Sequence, residues 1–124
     1  MTAYLRLEDL LAMETALGSP GIRDPGLLES ALARPQATVF GDDAYPTLAL
    51  KIAALVHSIA TNHALVDGNE RLAAFVLFLF PEMNDNEIQM TNDEAFDFIV
   101  AIADGSLRDV AEIAARIAPR LVQL

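Results

Sequence analysis

An unbroken run of nine apolar residues, 72–80, is the feature that most constrains how this chain can fold. The run falls well short of the roughly 20 residues that cross a bilayer, so it predicts a helix buried inside a folded domain. Because it is apolar on every side, neighbouring elements must enclose it, and we expect the core to form around it. The chain is long enough to bury one core, which predicts a single domain over residues 1–124.

The charge balance narrows the classes of partner. Eight Lys and Arg residues stand against eighteen Asp and Glu residues, and the formal net charge of −10 is spread along the chain. Binding to a phosphate backbone depends on basic side chains, so we expect no direct contact with nucleic acid. A small anion such as a nucleotide would need a local positive pocket, built from a helix N-terminus, a metal ion and arginine side chains.

Two further observations exclude whole classes of chemistry and location. No cysteine occurs, which rules out disulfides, thiolate metal sites and thiol nucleophiles. The N-terminal segment carries the acidic pair Glu8 and Asp9, and no basic stretch leads into an apolar one. We therefore expect no signal peptide, no membrane association and a cytoplasmic location.

Capping and stop signals predict an all-α fold, a compact bundle of about six helices. The segment 36–46 has no apolar period and is predicted to be a loop of about ten residues, and residues 87–90 can form a short extended piece. The first predicted helix is 7–17, which ends before Gly18 and Pro20, and the second runs from the Asp24 cap and Pro25 to Pro35. The third and fourth are 47–62 and 72–80. The fifth runs from the Thr91 and Glu94 capping box to Gly105, with Phe96 in its apolar stripe, and the last follows a cap at Ser106.

The chain has two histidines, so any imidazole base must be one of them. His57 lies in the middle of the third predicted helix, where we expect a packed imidazole bonded to a neighbouring carbonyl. His63 lies at the end of that helix, from which its side chain can reach a ligand held at the start of the next one. The alternative for His63 is a structural imidazole that bonds free helix carbonyls and complements the dipole.

The residues that follow His63 favour a role in chemistry. Gly68 permits close backbone approach, and the residues after it open a helix whose first N–H groups have no partner within that helix. Phosphate can bind those N–H groups with Arg71 as a clamp, and Asp67 can hold Mg²⁺. His63 can take a proton from an attacking hydroxyl. The stretch 63–71 therefore predicts phosphoryl or nucleotidyl transfer.

Two other kinds of site are open at this point. A metal hydrolase that uses His63 and Asp67 is less favoured, because Gly68 breaks the helix that would align them and no third ligand lies nearby. The other alternative is a helical domain in which this stretch has only a structural role.

The stretch HALVDGNERLAAF, which begins at His63, resembles the signature of the Fic/Doc family. That signature runs His, any residue, Phe, any residue, Asp or Glu, any residue, Asn, Lys or Gly, and Arg, and its Doc branch continues with Thr and Ala. The segments GIRDPGLLESALARPQATVFG and HSIATNHALVDGNERLAA extend the resemblance over most of residues 20–75. It implies a Fic/Doc-type helical domain that uses ATP and Mg²⁺.

The resemblance also implies a role for each residue of the stretch. His63, Asp67 and Arg71 are the expected catalytic residues, with His63 as the general base and Asp67 as the Mg²⁺ ligand. Asn69 and Arg71 are expected to bind phosphate. Gly68 and Glu70 complete the expected nucleotide-binding residues.

Relatives of the Doc branch are toxins that phosphorylate elongation factor Tu, whereas most Fic proteins transfer an adenylyl group to a protein hydroxyl. The resemblance therefore implies phosphoryl transfer from ATP to a Ser or Thr, with adenylyl transfer as the alternative. It also implies a Phd-like antitoxin that folds on binding as an amphipathic helix in an apolar groove. No Glu in the chain is followed by Gly or Asn, so the inhibitory motif of some Fic proteins is missing.

Three residues depart from the family pattern. Leu65 replaces Phe, and Leu72 replaces the Thr of the Doc branch. Glu70 stands where the Doc branch has Lys, and like charges about 4 Å apart repel by roughly 4 kcal/mol at an effective dielectric near 20. Glu70 can instead point to solvent, because it lies about 100° from Arg71 around the helix. An active enzyme and a weakened enzyme that mainly binds an antitoxin are both compatible with this pattern.

Overall fold

The chain folds into six α-helices, which confirms the predicted all-α class. The structure, a computed structural model, describes residues 1–124, of which 60% are helical. Short turns of 3₁₀ helix follow the second and the last α-helix. In chain order the α-helices are α1 (Leu7–Ala16), α2 (Pro25–Ala33), α3 (Leu48–Asn62), α4 (Asn69–Met83), α5 (Asn92–Ala103) and α6 (Val110–Ile117).

The predicted helix starts at Asp24, Thr47 and Thr91 are confirmed by their caps. The Asp24 side chain accepts a hydrogen bond from the Gly26 N–H at the start of α2, and Thr47 caps α3 in a similar way. At α5, Thr91 and Glu94 form the reciprocal capping box. Each cap satisfies N–H groups that the first helical turn leaves without a partner.

The predicted cap of the last helix at Ser106 is wrong. Helix α6 begins at Val110, and its cap is Asp109, whose side chain accepts a hydrogen bond from the Ala111 N–H at 3.0 Å. Ser106 instead donates its N–H to the Asp104 carboxylate at 2.8 Å in the turn after α5. Ser and Asp cap helices about equally well, so the cap type alone does not select between them.

Helix α3 lies at the centre of the core, as its long apolar stripe predicts. It packs against α2, α4, α5 and α6. Small side chains along it, among them Ala53, Ala54 and Ala60, are buried, which lets neighbouring helices approach closely. One cluster of 28 buried residues draws on all six helices. The core therefore forms around α3 with α4 beside it, rather than around the fourth helix alone.

Helix α4 is not enclosed on every side, contrary to the prediction from its sequence. Leu72, Val76 and Phe80 have no exposed surface, but Phe75 is 43% exposed. A single exposed aromatic side chain is common on a helix that packs against the core along one face only. No helix of the structure combines the length and the hydropathy needed to span a membrane.

A hairpin occupies the segment that was predicted to be an irregular loop. Its strands are β1 (Thr38–Val39) and β2 (Asp42–Asp43), which pair antiparallel. Both residues of the turn between them have positive φ angles, 52° at Phe40 and 84° at Gly41, as tight hairpin turns require. Strands this short show no apolar period, which is why the sequence gives no strand signal here.

A second antiparallel pair joins the end of the chain to the segment after α4. Its strands are β3 (Asn86–Ile88) and β4 (Leu121–Gln123). The predicted extended piece at 87–90 is therefore confirmed in part, displaced by one residue at its start and two at its end.

Candidate active site

The candidate site is a cleft between the loop after α3, the first turn of α4 and one face of α5. Its volume is about 660 Å³. Every residue between His63 and Arg71 that was predicted to be catalytic or nucleotide-binding lines this cleft. The lining residues are His63, Asp67, Gly68, Asn69, Glu70 and Arg71, joined by Ala60 of α3 and by Phe96, Val100, Ala103 and Asp104 of α5 and the turn after it.

His63 ends α3 in a left-handed backbone conformation, with φ 56° and ψ 41°. Residues with a side chain adopt this conformation at a cost, so neighbouring contacts must hold it. The His63 carbonyl accepts a hydrogen bond from Arg23 Nε at 2.8 Å. Arg23 therefore bonds a free carbonyl at the end of α3. If His63 were only structural, its imidazole would be expected to make such a bond. The ring of His63 is exposed on the cleft and free to act on a ligand.

Gly68 is the turn residue from which α4 starts, with φ 89°. That angle favours glycine, and a Cβ at this position would lie 3.4 Å from Arg71 Nη2. No side chain caps the N-terminus of α4. The N–H groups of its first turn are therefore free to bind an anion in the cleft.

Arg71 supplies the positive charge of the cleft. It is exposed, and the four ion pairs of the structure all involve other basic residues. A guanidinium without a carboxylate partner can clamp phosphate through two parallel hydrogen bonds. Its place beside the free helix N-terminus gives this end of the cleft two kinds of group that can bind an anion.

The Asn69 side chain stabilises the loop between α3 and α4 through hydrogen bonds to its backbone. Its Oδ1 accepts a hydrogen bond from the Leu65 N–H at 2.9 Å, and its Nδ2 donates to the Leu65 carbonyl at 3.2 Å. Leu65 itself is only 2% exposed, so it fills the core as the Phe of the family signature would. With its amide bonded in this way, Asn69 has its backbone N–H left to offer to a phosphate.

Asp67 presents a carboxylate that could hold a metal ion in the cleft. It is exposed on the cleft, and none of the four ion pairs involves it. No group of three or more His, Asp or Glu residues could hold a metal by itself. Mg²⁺ fits such a donor set, because it commonly binds through a few carboxylates and takes its other ligands from substrate phosphates and water.

The wall of the cleft on α5 was missed by the sequence reasoning. Phe96 was assigned to the apolar stripe of the fifth predicted helix, but it is 46% exposed and lines the cleft. Phe96, Val100 and Ala103 recur at helical spacing, and each directly follows a core residue of α5, as Phe96 follows Ala95. A second apolar stripe beside the core stripe is the signal that could have revealed this wall.

Three carboxylates share the cleft with the single arginine. Glu70 is exposed and lies in the lining together with Asp67. Hydrogen bonds from the Ser106 side chain and N–H hold the pKa of Asp104 below its usual value, which keeps this carboxyl ionised at neutral pH. A polyphosphate therefore needs an accompanying cation to bind here.

His57 lies outside the cleft, in a hydrogen-bond network on the side of α3. Arg34 Nη1 lies 2.9 Å from His57 Nδ1 and donates to Ser58 Oγ at 3.0 Å, while Arg34 Nε donates to the Tyr45 hydroxyl at 3.0 Å. Arginine can only donate, so His57 Nδ1 is unprotonated. Burial, together with the charge of Arg34, lowers the pKa of His57. The predicted structural role fits, but the predicted carbonyl partner is wrong, because the partner is Arg34.

The structure is that of a small helical protein in which an imidazole, a guanidinium and an uncapped helix N-terminus line one cleft. A model of the Fic/DOC family matches residues 3–81, which include the whole stretch from His63 to Arg71. Toxin Doc of Mycolicibacterium smegmatis (strain ATCC 700084 / mc(2)155) is 46% identical over 113 residues, which cover 90% of this chain and 82% of that toxin. The chain belongs to the Fic/DOC family. Proteins of this family generally use ATP with a metal to transfer nucleotide-derived groups to other proteins.

Proposed function

We propose that this chain is a Doc-type toxin of a toxin–antitoxin pair, which transfers a phosphoryl group from ATP to a Ser or Thr hydroxyl of a translation protein such as elongation factor Tu. Adenylyl transfer to a protein hydroxyl is the alternative reaction of the same site. The similarity to a relative named Toxin Doc supports the toxin assignment. The chemistry of the cleft supports group transfer from a nucleotide.

The observation that carries the proposal is that His63 and Arg71 line the same cleft. They belong to different helices, because His63 ends α3 and Arg71 lies in the first turn of α4. Each presents a side chain that no carboxylate of the chain engages. A base and an anion clamp around one space are what transfer from a nucleotide to a hydroxyl requires.

In the proposed reaction the phosphates of ATP bind the free N–H groups of α4 and the guanidinium of Arg71. His63 takes the proton of the acceptor hydroxyl as its oxygen attacks the γ-phosphorus. The new oxygen–phosphorus bond forms, the bond to the bridging oxygen breaks, and ADP leaves. Mg²⁺ held by Asp67 would offset charge on the phosphates.

The position of the label on ATP distinguishes the two reactions. The purified chain is incubated with Mg²⁺, a cell extract and ATP labelled at either the α- or the γ-phosphate. Phosphoryl transfer predicts a labelled protein from γ-labelled ATP only. Label from the α-position only would replace this reaction with adenylyl transfer, and no label from either position would contradict the transferase proposal.

Glu70 favours a second candidate function, a catalytically weakened member of the family that mainly binds an antitoxin. Three acidic residues, Glu70, Asp67 and Asp104, line the cleft, and Arg71 is the only permanent cation in the lining. Repulsion from these carboxylates weakens the binding of a polyphosphate. Calorimetry with Mg²⁺ and a nonhydrolysable ATP analogue separates the two candidates, because only the active enzyme should bind the analogue well.

An apolar groove beside the cleft supports the proposed antitoxin partner. The groove has a volume of about 550 Å³ and is lined by Leu17 after α1, by Phe75 and Phe78 of α4, and by Phe96 of α5. Arg71 and Phe96 line both the groove and the cleft. An amphipathic helix that fills the groove would therefore also cover the phosphate clamp and restrain the toxin.

The acidic character of the chain indicates what this antitoxin segment should carry. The net charge is −10, and Asp93 lies in the lining of the groove. We expect Lys or Arg at the rim of the bound segment, which would speed association and make it sensitive to salt.

Expression of the chain alone and with its genomic neighbour tests the antitoxin proposal. Growth arrest should occur only when the chain is expressed alone, and the two proteins should purify together. A Phe75→Glu variant should still arrest growth but escape the neighbour, whereas Val122→Glu, on β4, is the matched exposed control. A chain that is harmless alone but still purifies with its neighbour would favour the weakened enzyme. A chain that is harmless alone and captures no neighbour would contradict both candidates.

A further inference from the structure

Residues 19–24, between α1 and α2, run antiparallel to the loop 63–67 that carries the site. Ile22 pairs with Leu65 in an isolated β-bridge. Two successive N–H groups of this segment donate to the Ala64 carbonyl, at 2.8 and 2.9 Å. The site loop is therefore supported by a stretch of backbone that is distant in sequence, which we call the strap (residues 19–24).

Two more hydrogen bonds fasten the far end of the loop to the strap. The Val66 N–H donates to the Gly21 carbonyl at 3.0 Å. The Ser19 hydroxyl donates to the Asp67 carbonyl at 3.3 Å. The backbone conformation on both sides of the Asp67 side chain is therefore stabilised by contacts with the strap as well as within the loop.

Arg23 is the strap residue that reaches His63. Its Nε donates to the His63 carbonyl at 2.8 Å. The last turn of α3 contains no basic residue, so Arg23 also brings the positive charge that complements the C-terminal end of this helix. The Arg23 side chain is exposed and forms no ion pair, so the packing of the core does not depend on it.

The backbone of His63 needs such support, because its φ of 56° lies in the left-handed region. We propose that, given the transfer reaction proposed for this cleft, Arg23 is a positioning residue that fixes the direction from which the His63 imidazole meets the acceptor hydroxyl. A misplacement of about 1 Å can cost about a hundredfold in rate. Arg23 does not line the cleft, so nucleotide binding by Arg71 and the α4 N-terminus should be unaffected.

Steady-state kinetics of label transfer tests this role in Arg23→Ala, Arg23→Lys and a control, Arg116→Ala, whose arginine is exposed on α6. Arg23→Ala should lower kcat by roughly tenfold to a hundredfold and leave the KM for ATP within about twofold of the wild type. Arg23→Lys should regain most of kcat, because its ammonium can donate to the same carbonyl. The Tm of each variant should stay within a few degrees of the wild type.

A kcat for Arg23→Ala equal to that of Arg116→Ala would overturn the proposal. A fall in kcat that follows a fall in Tm and is not regained in Arg23→Lys would also overturn it, since Arg23 would then be merely structural. If the wild type transfers no label, the proposed function fails by itself, and NMR decides the role of Arg23. The His63 amide and imidazole resonances should shift in Arg23→Ala and return in Arg23→Lys, and unchanged resonances would overturn the proposal.

Discussion

Two histidines, one within α3 and one at its C-cap, have opposite surroundings. His57 is partly buried, and its Nδ1 is bonded to the guanidinium of Arg34. His63 stands exposed at the end of the same helix, where its carbonyl is bonded by Arg23 and its ring faces the cleft. A polar side chain that is bonded inside the fold contributes to stability, whereas one that is fixed only through its backbone can act on a substrate.

The arginines of these two regions show the same contrast. Arg34 donates to Tyr45, His57 and Ser58, and its guanidinium lies 5.7 Å from the centre of the Tyr45 ring. Arg71 has no ion-pair partner and lies against Gly68 at the start of α4. The network around Arg34 should therefore affect stability, and the cleft around Arg71 should affect ligand binding and rate.

Replacing each histidine by alanine should give the largest difference between the two regions. His63→Ala should reduce label transfer by about 10²–10⁴-fold, the usual contribution of a general base. Its Tm should stay within a few degrees of the wild type, because an exposed imidazole contributes little packing. His57→Ala should lose stability first and transfer only as a result. Equal losses of transfer in two folded variants would show that the base is misassigned.

Replacing Arg34 and Arg71 by methionine tests whether the two arginines differ in their contribution to stability. Arg34→Met leaves the hydroxyl of buried Ser58 and the ring of His57 without their donor, so the free energy of unfolding should fall by about 1–3 kcal/mol. Arg71→Met should change it by about 0.5 kcal/mol or less. Urea denaturation of both variants provides the measurement, and equal losses would remove the distinction between a structural and a functional arginine.

A charge reversal at Glu70 tests whether the cleft is weakened as a nucleotide site. Glu70→Lys should tighten binding of Mg²⁺ and a nonhydrolysable ATP analogue by about tenfold, because repulsion becomes attraction in a largely exposed position. Glu82→Lys, near the other end of the same helix, is the matched control. A gain no larger than that of the control would mean that Glu70 points away from the bound phosphates.

The pH dependence of stability should give the smallest of these effects, and it should come from His57. Because its pKa is lowered from 6.5 in the folded state, the unfolded chain binds a proton there more readily. The free energy of unfolding should therefore decrease as the pH falls below about 6.5 and level off below the lowered pKa. Urea denaturation across this range should show a weaker decrease in His57→Gln. The same decrease in both proteins would assign the effect to other groups.

Most of the fold could be predicted because helix signals are local. Caps such as Asp24 and Thr91 act within one turn, and apolar periods show over a single helix. The misplaced cap at Ser106 and the missed exposure of Phe75 and Phe96 depend instead on which face of each helix meets a neighbour. That information lies in tertiary packing and not in any local window of the sequence.

The site also contains residues that a local motif predicts and residues that depend on contacts between distant segments. The lining residues His63 and 67–71 fall within nine consecutive positions, so one motif could predict all of them. The α5 wall and the support from Arg23 arise from contacts between distant segments, and the Arg23 to His63 hydrogen bond spans 40 positions in the chain. An exposed arginine in a loop carries no sequence signal that tells which carbonyl it will bond.

Calorimetric titration of the wild type and Arg71→Ala with Mg²⁺ and a nonhydrolysable ATP analogue tests most directly whether this cleft is a nucleotide site. We predict that the wild type binds one analogue per chain and that Arg71→Ala binds it at least about tenfold more weakly, because a charged hydrogen-bond partner contributes roughly 1.5–3 kcal/mol. Equal affinity in the two proteins, or no binding by either the wild type or Glu70→Lys, would contradict the assignment of the cleft to nucleotide binding.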